Sequence, residues 1–161
     1  MIKKLDFNTL HKATVLRDEI FPELGKTDKA TLHASLDKEN YQSIYEDGDI
    51  NLLDYWIYLD IQNDVVGIVG LYTQNSDTND KVWLGWYGVK PSYRGKKIGS
   101  KLLDFATQKA SEEGYKELHL YTTNDAVHQD AIALYLRRGF VKYKKDKELK
   151  TIYYKKELYV K

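Results

Sequence analysis

The run Lys81-Val-Trp-Leu-Gly-Trp-Tyr-Gly-Val-Lys-Pro-Ser-Tyr-Arg-Gly-Lys-Lys-Ile-Gly-Ser-Lys-Leu-Leu103 decides how the chain is read. Lys81 to Val89 has the composition of a strand. Pro91 closes it, having no N–H for a ladder and restraining the residue before it. From Ile98 onward Leu102, Phe105 and Ala106 recur at helical spacing, with Lys109 on the same face. The turn Arg94 to Gly99 therefore lies at the mouth of a helix. Free N–H groups there point outward, and the macrodipole adds partial positive charge. Arg94, Lys96 and Lys97 surround the same spot. Such a turn suits a phosphate or diphosphate, although glycines before a helix also serve turn geometry alone.

Spacing excludes two familiar phosphate loops. A P-loop needs Gly-x-x-x-x-Gly-Lys-Ser/Thr, but Ser100 and Lys101 stand where that motif has Gly and Lys, counting from Gly95. A dinucleotide fingerprint needs Gly-x-Gly-x-x-Gly directly after the strand, and this turn lacks it. Val89-x-Pro91-x-Tyr93-Arg94-Gly95-Lys96-Lys97-Ile98-Gly99 instead resembles the acetyl-CoA signature of the GNAT superfamily of N-acetyltransferases, Gln/Arg-x-x-Gly-x-Gly/Ala after a strand ending in Val-x-Pro. Arg94 falls on its first position and Gly99 on its last, while Lys97 replaces the central glycine. Ala131-Ile-Ala-Leu-Tyr-Leu-Arg-Arg-Gly-Phe140 resembles the later motif Asn-x-x-Ala-x-x-Leu-Tyr-x-x-x-Gly-Phe, with His128 at the asparagine.

The resemblance implies an α/β (α+β) fold over residues 1–161 as a single domain. Its central sheet would be mixed and mostly antiparallel, flanked by helices, with the fourth and fifth strands splayed around acetyl-CoA. The implied cofactor-binding set is Val89, Arg94, Gly95, Lys96, Lys97, Ile98, Gly99, Ser100 and His128. In it, amides from Gly95 to Gly99 hold the diphosphate, Val89 pairs with the pantetheine arm, and His128 takes the place of a pantetheine-contacting asparagine. Lys96, Lys97 and Lys101 either reach the 3′-phosphate or face water. Tyr135 sits where many relatives carry the acid that protonates the leaving thiolate; its other reading is a core tyrosine beside Leu134.

The general base is open. Relatives often place a Glu on the strand before the turn, but Lys81 to Val89 holds neither carboxylate nor histidine. Glu46, Asp47 and Asp49 in an acidic turn, or His119, are the candidates, each also readable as an ordinary turn or structural residue. Trp83 and Tyr87 share one side of a continuous strand, with Trp86 on the other, so Trp83 and Tyr87 are candidate walls of an acceptor site. Burial against helices is the alternative.

Composition narrows the remaining classes. The 161 residues carry 25 Lys and Arg against 24 Asp and Glu, a formal charge of +1, which offers no global field for nucleic acid. The lysine-rich end, Lys142 to Lys161, reads as a solvated strand edge. No cysteine is present, so a cysteine-linked acyl-enzyme is excluded. The N-terminus lacks a signal-peptide core and no run reaches membrane-spanning length, so a cytoplasmic protein without membrane partners is expected. No metal is called for. The expected activity is acetyl transfer from acetyl-CoA to a primary amine, with a homodimer through sheet edges left open. A non-catalytic CoA sensor and a protein binding another nucleotide are the alternatives.

Elsewhere the pattern predicts a short strand from Ile2 to Leu5. A helix capped by Asn8 or Thr9 follows, with Leu10, Ala13, Leu16, Arg17 and Ile20 on one side, ending near Phe21-Pro22. Another helix begins at Thr27 or Asp28 with Leu32, Leu36 and Ile44 inward. Strands follow at Trp56–Gln62 and Val65–Tyr72, joined by a tight hairpin at Asn63-Asp64, and at Glu117–Thr122. A helix begins at Asn124 or Asp125 with Val127, Ala131, Leu134 and Tyr135 on one face. Phe140–Lys145 and Thr151–Leu158 close the chain as an antiparallel pair.

Overall fold

The computed structural model describes residues 1–22, 26–40 and 50–159. The expected burial of Ile44 and the acidic turn with Glu46, Asp47 and Asp49 lie outside these residues. Eight strands and four α-helices are described: β1 (Ile2–Lys4), α1 (Leu10–Ile20), α2 (Lys26–Ala34), β2 (Ile50–Leu59), β3 (Val65–Gln74), β4 (Lys81–Leu84), β5 (Gly88–Val89), α3 (Ile98–Glu112), β6 (Glu117–Thr123), α4 (Gln129–Arg137), β7 (Val141–Asp146) and β8 (Thr151–Glu157). Strand pairing is mostly antiparallel and the class is α/β. No helix among the described residues is long and apolar enough to cross a membrane. The chain groups into two compact units, residues Met1–Asp77 with Leu84–Ala106, and residues Thr78–Trp83 with Thr107–Lys161.

In the first unit β1, β2 and β3 run antiparallel, and β5 adds to β3. β3 reads Val-Val-Gly-Ile-Val-Gly-Leu and is buried from Val65 to Leu71, as a strand covered on both faces should be. Gly67 lets α3 approach closely, since a Cβ there would sit 2.7 Å from Leu102 Cδ1. β2 starts at Ile50, ahead of the expected Trp56, because Ile50 to Tyr55 pairs with β3; Asn51 and Asp54 interrupt the apolar alternation that would have marked it. Asp54 is answered by Lys4 at 2.6 Å and Lys38 at 3.3 Å. The strand also ends earlier than expected, at Leu59. Asp60 Oδ1 accepts the N–H groups of Gln62 and Asp64, both at 2.9 Å, and turns the chain back.

The expected single strand from Lys81 to Val89 is corrected to two, with Gly85, Trp86 and Tyr87 between them. Val89 opposes Gly67 and Gly88 opposes Ile68, while Gly85 N–H donates to Gly70 O at 2.7 Å. From Gly88 back to Gly85 the strand spends three steps against two on β3, which is a one-residue bulge. Two-residue alternation does not survive a bulge. The argument that Trp83 and Tyr87 share a side therefore fails.

In the second unit Lys81–Trp83 pairs in parallel with Glu117–His119, and β6, β8 and β7 follow antiparallel. Leu118, Leu120, Ile152 and Tyr154 make a buried face, with Tyr135 of α4 stacked on Tyr154 at 6.4 Å. The other face carries Trp83, His119, Tyr121, Tyr143 and Tyr153, joined ring to ring at 5.2–6.2 Å. Val127 is corrected. A short 3₁₀ turn at Ala126–His128 precedes α4 and leaves Val127 81% exposed. β7 pairs only with β8 among the described strands, and Lys142, Lys144 and Lys145 are exposed along it.

Candidate active site

The centre of the first unit's site is the start of α3. Lys101 N–H donates to Lys97 O at 3.1 Å, so Lys97 is the N-cap and Ile98, Gly99 and Ser100 form the first helical turn. Among the described residues no protein acceptor meets the amides of Gly95 to Ser100. A helix start leaves these groups free and lends them partial positive charge. Arg94 to Lys97 is exposed, while Ile98 is buried and anchors the turn to the core. An anion placed here meets several convergent donors.

Val89 presents a second outward-facing donor. Lys90 N–H donates to Val66 O at 2.8 Å, which places Gly88 and Lys90 at the hydrogen-bonded sites of the β3–β5 ladder. Val89, between them, opposes Gly67 at a non-hydrogen-bonded site. Its N–H and C=O therefore point away from β3; the C=O accepts from the Arg94 side chain, and the N–H is left for strand-like pairing with a ligand.

Three contacts hold the turn in register with the strand. Tyr87 Oη donates to Gly99 O at 2.6 Å, and Arg94 Nε donates to Val89 O at 3.2 Å. Tyr93 Oη donates to Asp60 Oδ2 at 2.7 Å. That carboxyl is held below its usual range, chiefly by the Tyr93 hydrogen bond and then by the Asp64 amide. Lys96 Nζ lies 4.8 Å from the Tyr93 ring centroid. Sequence reasoning assigned no role to Asp60, although an aspartate two and four residues before free amides is a recognisable turn signal. Gly99 lets Tyr87 approach closely: a Cβ there would sit 3.1 Å from Tyr87 Oη, so the ring would have to shift by a few tenths of an ångström.

Lys97, at the position of the motif's central glycine, has φ 66, so it keeps the left-handed conformation with its side chain exposed. That conformation costs a non-glycine residue about 1–2 kcal/mol, against about 0.5–1 kcal/mol of extra entropy lost by glycine. Lys97→Gly is therefore expected to stabilise the protein slightly, by about 0.5–1 kcal/mol, raising the melting temperature by a few degrees in calorimetry.

The other candidate residues are distributed as follows. Tyr135 is 6% exposed, and burial pushes its phenol well above the ordinary range. Its ring packs on Phe140 at 5.7 Å and on Tyr154. His128 is half-buried at the N-cap of α4, its N–H donating to Asp125 O at 3.0 Å. Trp83 lies in the aromatic face of the second unit. Trp86 packs on Phe21 at 4.9 Å and donates from Nε1 to Thr31 Oγ1 at 2.8 Å. Among the described residues no group of three or more His, Cys, Asp or Glu could hold a metal ion.

His119 is 4% exposed, between Tyr143 Oη at 2.8 Å from Nδ1 and Glu117 Oε1 at 3.0 Å from Nε2. Burial pulls its pKa below the usual 6.5; Lys81 and Lys155 add to this, while Glu117 opposes it. Below pH 6.5 an unfolded His119 binds a proton that the folded one resists. Its share of stability is present above pH 6.5 and lost as pH falls through the folded pKa. Glu117, held below 4.5 first by the His119 hydrogen bond, loses its share only at lower pH. Thermal melts should therefore show stability falling from pH 6.5 downward, and His119→Gln should flatten the limb between pH 6.5 and 4.5.

With this geometry established, comparison with known proteins is informative. The model of the acetyltransferase (GNAT) family matches residues 17–140. The uncharacterized N-acetyltransferase YjgM of Escherichia coli K12 is 35% identical over 86 residues, 53% of this chain and 50% of that protein. The aminoalkylphosphonate N-acetyltransferase of Salmonella typhimurium LT2 is 36% identical over 107 residues, 63% of this chain and 68% of that one. The match thus spans about half the length of the first relative and about two thirds of the second. The PaiA N-acetyltransferase of Thermoplasma acidophilum, solved in complex with coenzyme A, superposes with a TM-score of 0.68 at 20% identity, covering 98% of each chain.

Proposed function

The chain belongs to the GNAT acetyltransferase family, and from that premise we propose that it moves an acetyl group from acetyl-CoA to a primary amine of a small molecule, amino acid or peptide. The observation that carries the reading is the row of free amides from Gly95 to Ser100, in register with the outward-facing backbone of Val89. The amides take the CoA diphosphate, with Arg94, Lys96 and Lys97 adding charge around it. Val89 pairs with the pantetheine amides, and its N–H stabilises the oxygen of the attacked carbonyl. The coenzyme A held by the Thermoplasma neighbour supports this choice of donor.

Transfer proceeds by direct attack in a ternary complex. The neutral amine adds to the thioester carbon, the C–S bond breaks, the nitrogen gives up one proton to solvent to become the amide, and the sulfur takes a proton as CoA leaves. Tyr135 is assigned that proton on its motif position, and burial keeps its phenol protonated. His128 is assigned to the pantetheine, and Trp83 and Tyr87 remain candidates for the acceptor side. The whole chain acts as one cytoplasmic domain in this reading.

The alternative, a CoA-binding sensor, is favoured by one observation: Lys81 to Val89 contains no carboxylate or histidine to deprotonate the amine. A panel of amines assayed for CoA release, with mass identification of the product, separates the two. Acetylated product supports the enzyme. Thermal stabilisation by acetyl-CoA with no thiol released from any amine supports the sensor.

A further inference from the structure

On the aromatic face of the second unit, Glu117, His119 and Tyr143 form an arrangement to which the acetyl transfer proposed above assigns no step. Glu117, held ionised, can only accept, so His119 donates to it from Nε2–H across 3.0 Å. Burial keeps the imidazole neutral, which leaves Nδ1 as the acceptor. The phenol of Tyr143 donates to that nitrogen at 2.8 Å. Carboxylate, imidazole and hydroxyl thus stand in the order by which a hydroxyl nucleophile is activated: an orienting acid, a base and the group it deprotonates. His119 is 4% exposed, whereas Tyr143 is 39% exposed, so the base is sheltered and the nucleophile reachable. Lys155 Nζ stands 3.6 Å from Glu117 Oε2 and 5.4 Å from the centroid of the Tyr143 ring, a positive charge beside the pair.

We propose that Tyr143 is a nucleophilic tyrosine, activated by His119 and oriented through Glu117, that accepts acyl groups from small activated acyl donors. Tyr143 Oη attacks the donor carbonyl carbon, and the Oη–C bond forms as the bond to the leaving group breaks. The phenolic proton passes to His119 Nδ1 and on to the leaving group, and Tyr143 is left as an ester. This site is independent of the amine-transfer reading, because it needs neither the anion turn nor an amine.

The test treats the intact protein with N-acetylimidazole and follows each tyrosine by peptide mass mapping. Tyr159 and Tyr121, at 87% and 59% exposed, are more open than Tyr143, so accessibility alone ranks Tyr143 behind both. The proposal expects the reverse, with Tyr143 esterified about tenfold faster than Tyr121. His119→Gln should bring Tyr143 down to the Tyr121 rate or below it, with Tyr121 itself unchanged as the internal measure of an intact fold. Should that variant unfold, the wild-type ratio decides by itself. Tyr143 reacting no faster than Tyr121 in the wild type, or at its wild-type rate in a folded His119→Gln protein, overturns the proposal.

Discussion

Ser100→Asp should weaken acetyl-CoA binding about 100-fold while leaving the fold at least as stable. Ser100 is in the first turn of α3, three residues beyond the Lys97 cap, where an acidic side chain stabilises a helix by about 0.3–1 kcal/mol through the macrodipole. The amide of residue 100 belongs to the row assigned to the diphosphate, so the added carboxylate brings a like charge to that site. Two like charges about 4 Å apart repel by about 1 kcal/mol in bulk water and about 4 kcal/mol near a protein surface. A value between these corresponds to about two decades in Kd. Stability and affinity thus move in opposite directions, which general damage to the fold does not produce. Calorimetric titration beside a thermal melt reads both, with Ser100→Asn as the uncharged control. Unchanged affinity in Ser100→Asp would place the diphosphate elsewhere.

Tyr135→Phe is the second large effect. Removing a general acid costs about 100-fold or more in turnover, and this substitution takes away only the hydroxyl. The ring contacts to Phe140 and Tyr154 remain available to phenylalanine, so the melting temperature should change little. Steady-state kinetics should show kcat falling about 100-fold with the KM for acetyl-CoA nearly unchanged. Full turnover would return Tyr135 to the role of a buried core residue and require another source for the sulfur's proton.

Much of the fold was legible because its strongest signals are local. The helix from Leu10, the start of α3 at Ile98, the hairpin around Asn63 and the closing strands follow from periodicity and turn chemistry carried by adjacent residues. The features that escaped depend on distant partners. The bulge at Gly85 to Tyr87 exists because Gly88 and Gly85 keep separate registers on β3, and nothing within Lys81 to Val89 reports that. Ile50 to Tyr55 is strand despite Asp54 because it pairs with Gly70 to Gln74 of β3, and Lys4 and Lys38 answer the charge. Val127 looked inward until a 3₁₀ turn moved it off the helical face.

The site divides in the same way. The position of the anion turn was readable, since two glycines, a proline and a helix start lie within a dozen residues. Its supports were not. Asp60 reaches Tyr93 from the far end of a hairpin, and Tyr87 reaches Gly99 across twelve residues of chain. Lys97 looked like a departure from the motif, yet it holds a left-handed conformation of the kind glycine adopts without strain. His119 was weighed as a base on its own. Its partner Tyr143 comes from another strand, so no local pattern pointed to the pair.

The central claim is that main-chain amides from Gly95 to Ser100 hold the diphosphate of coenzyme A. Nitrogen–proton correlation spectra of the labelled protein, titrated with CoA and separately with pantetheine, test it residue by residue. The account predicts that these amides shift together with CoA, saturating with one Kd, and stay in place with pantetheine, which lacks the diphosphate. Large shifts elsewhere with these amides unmoved by CoA would contradict it.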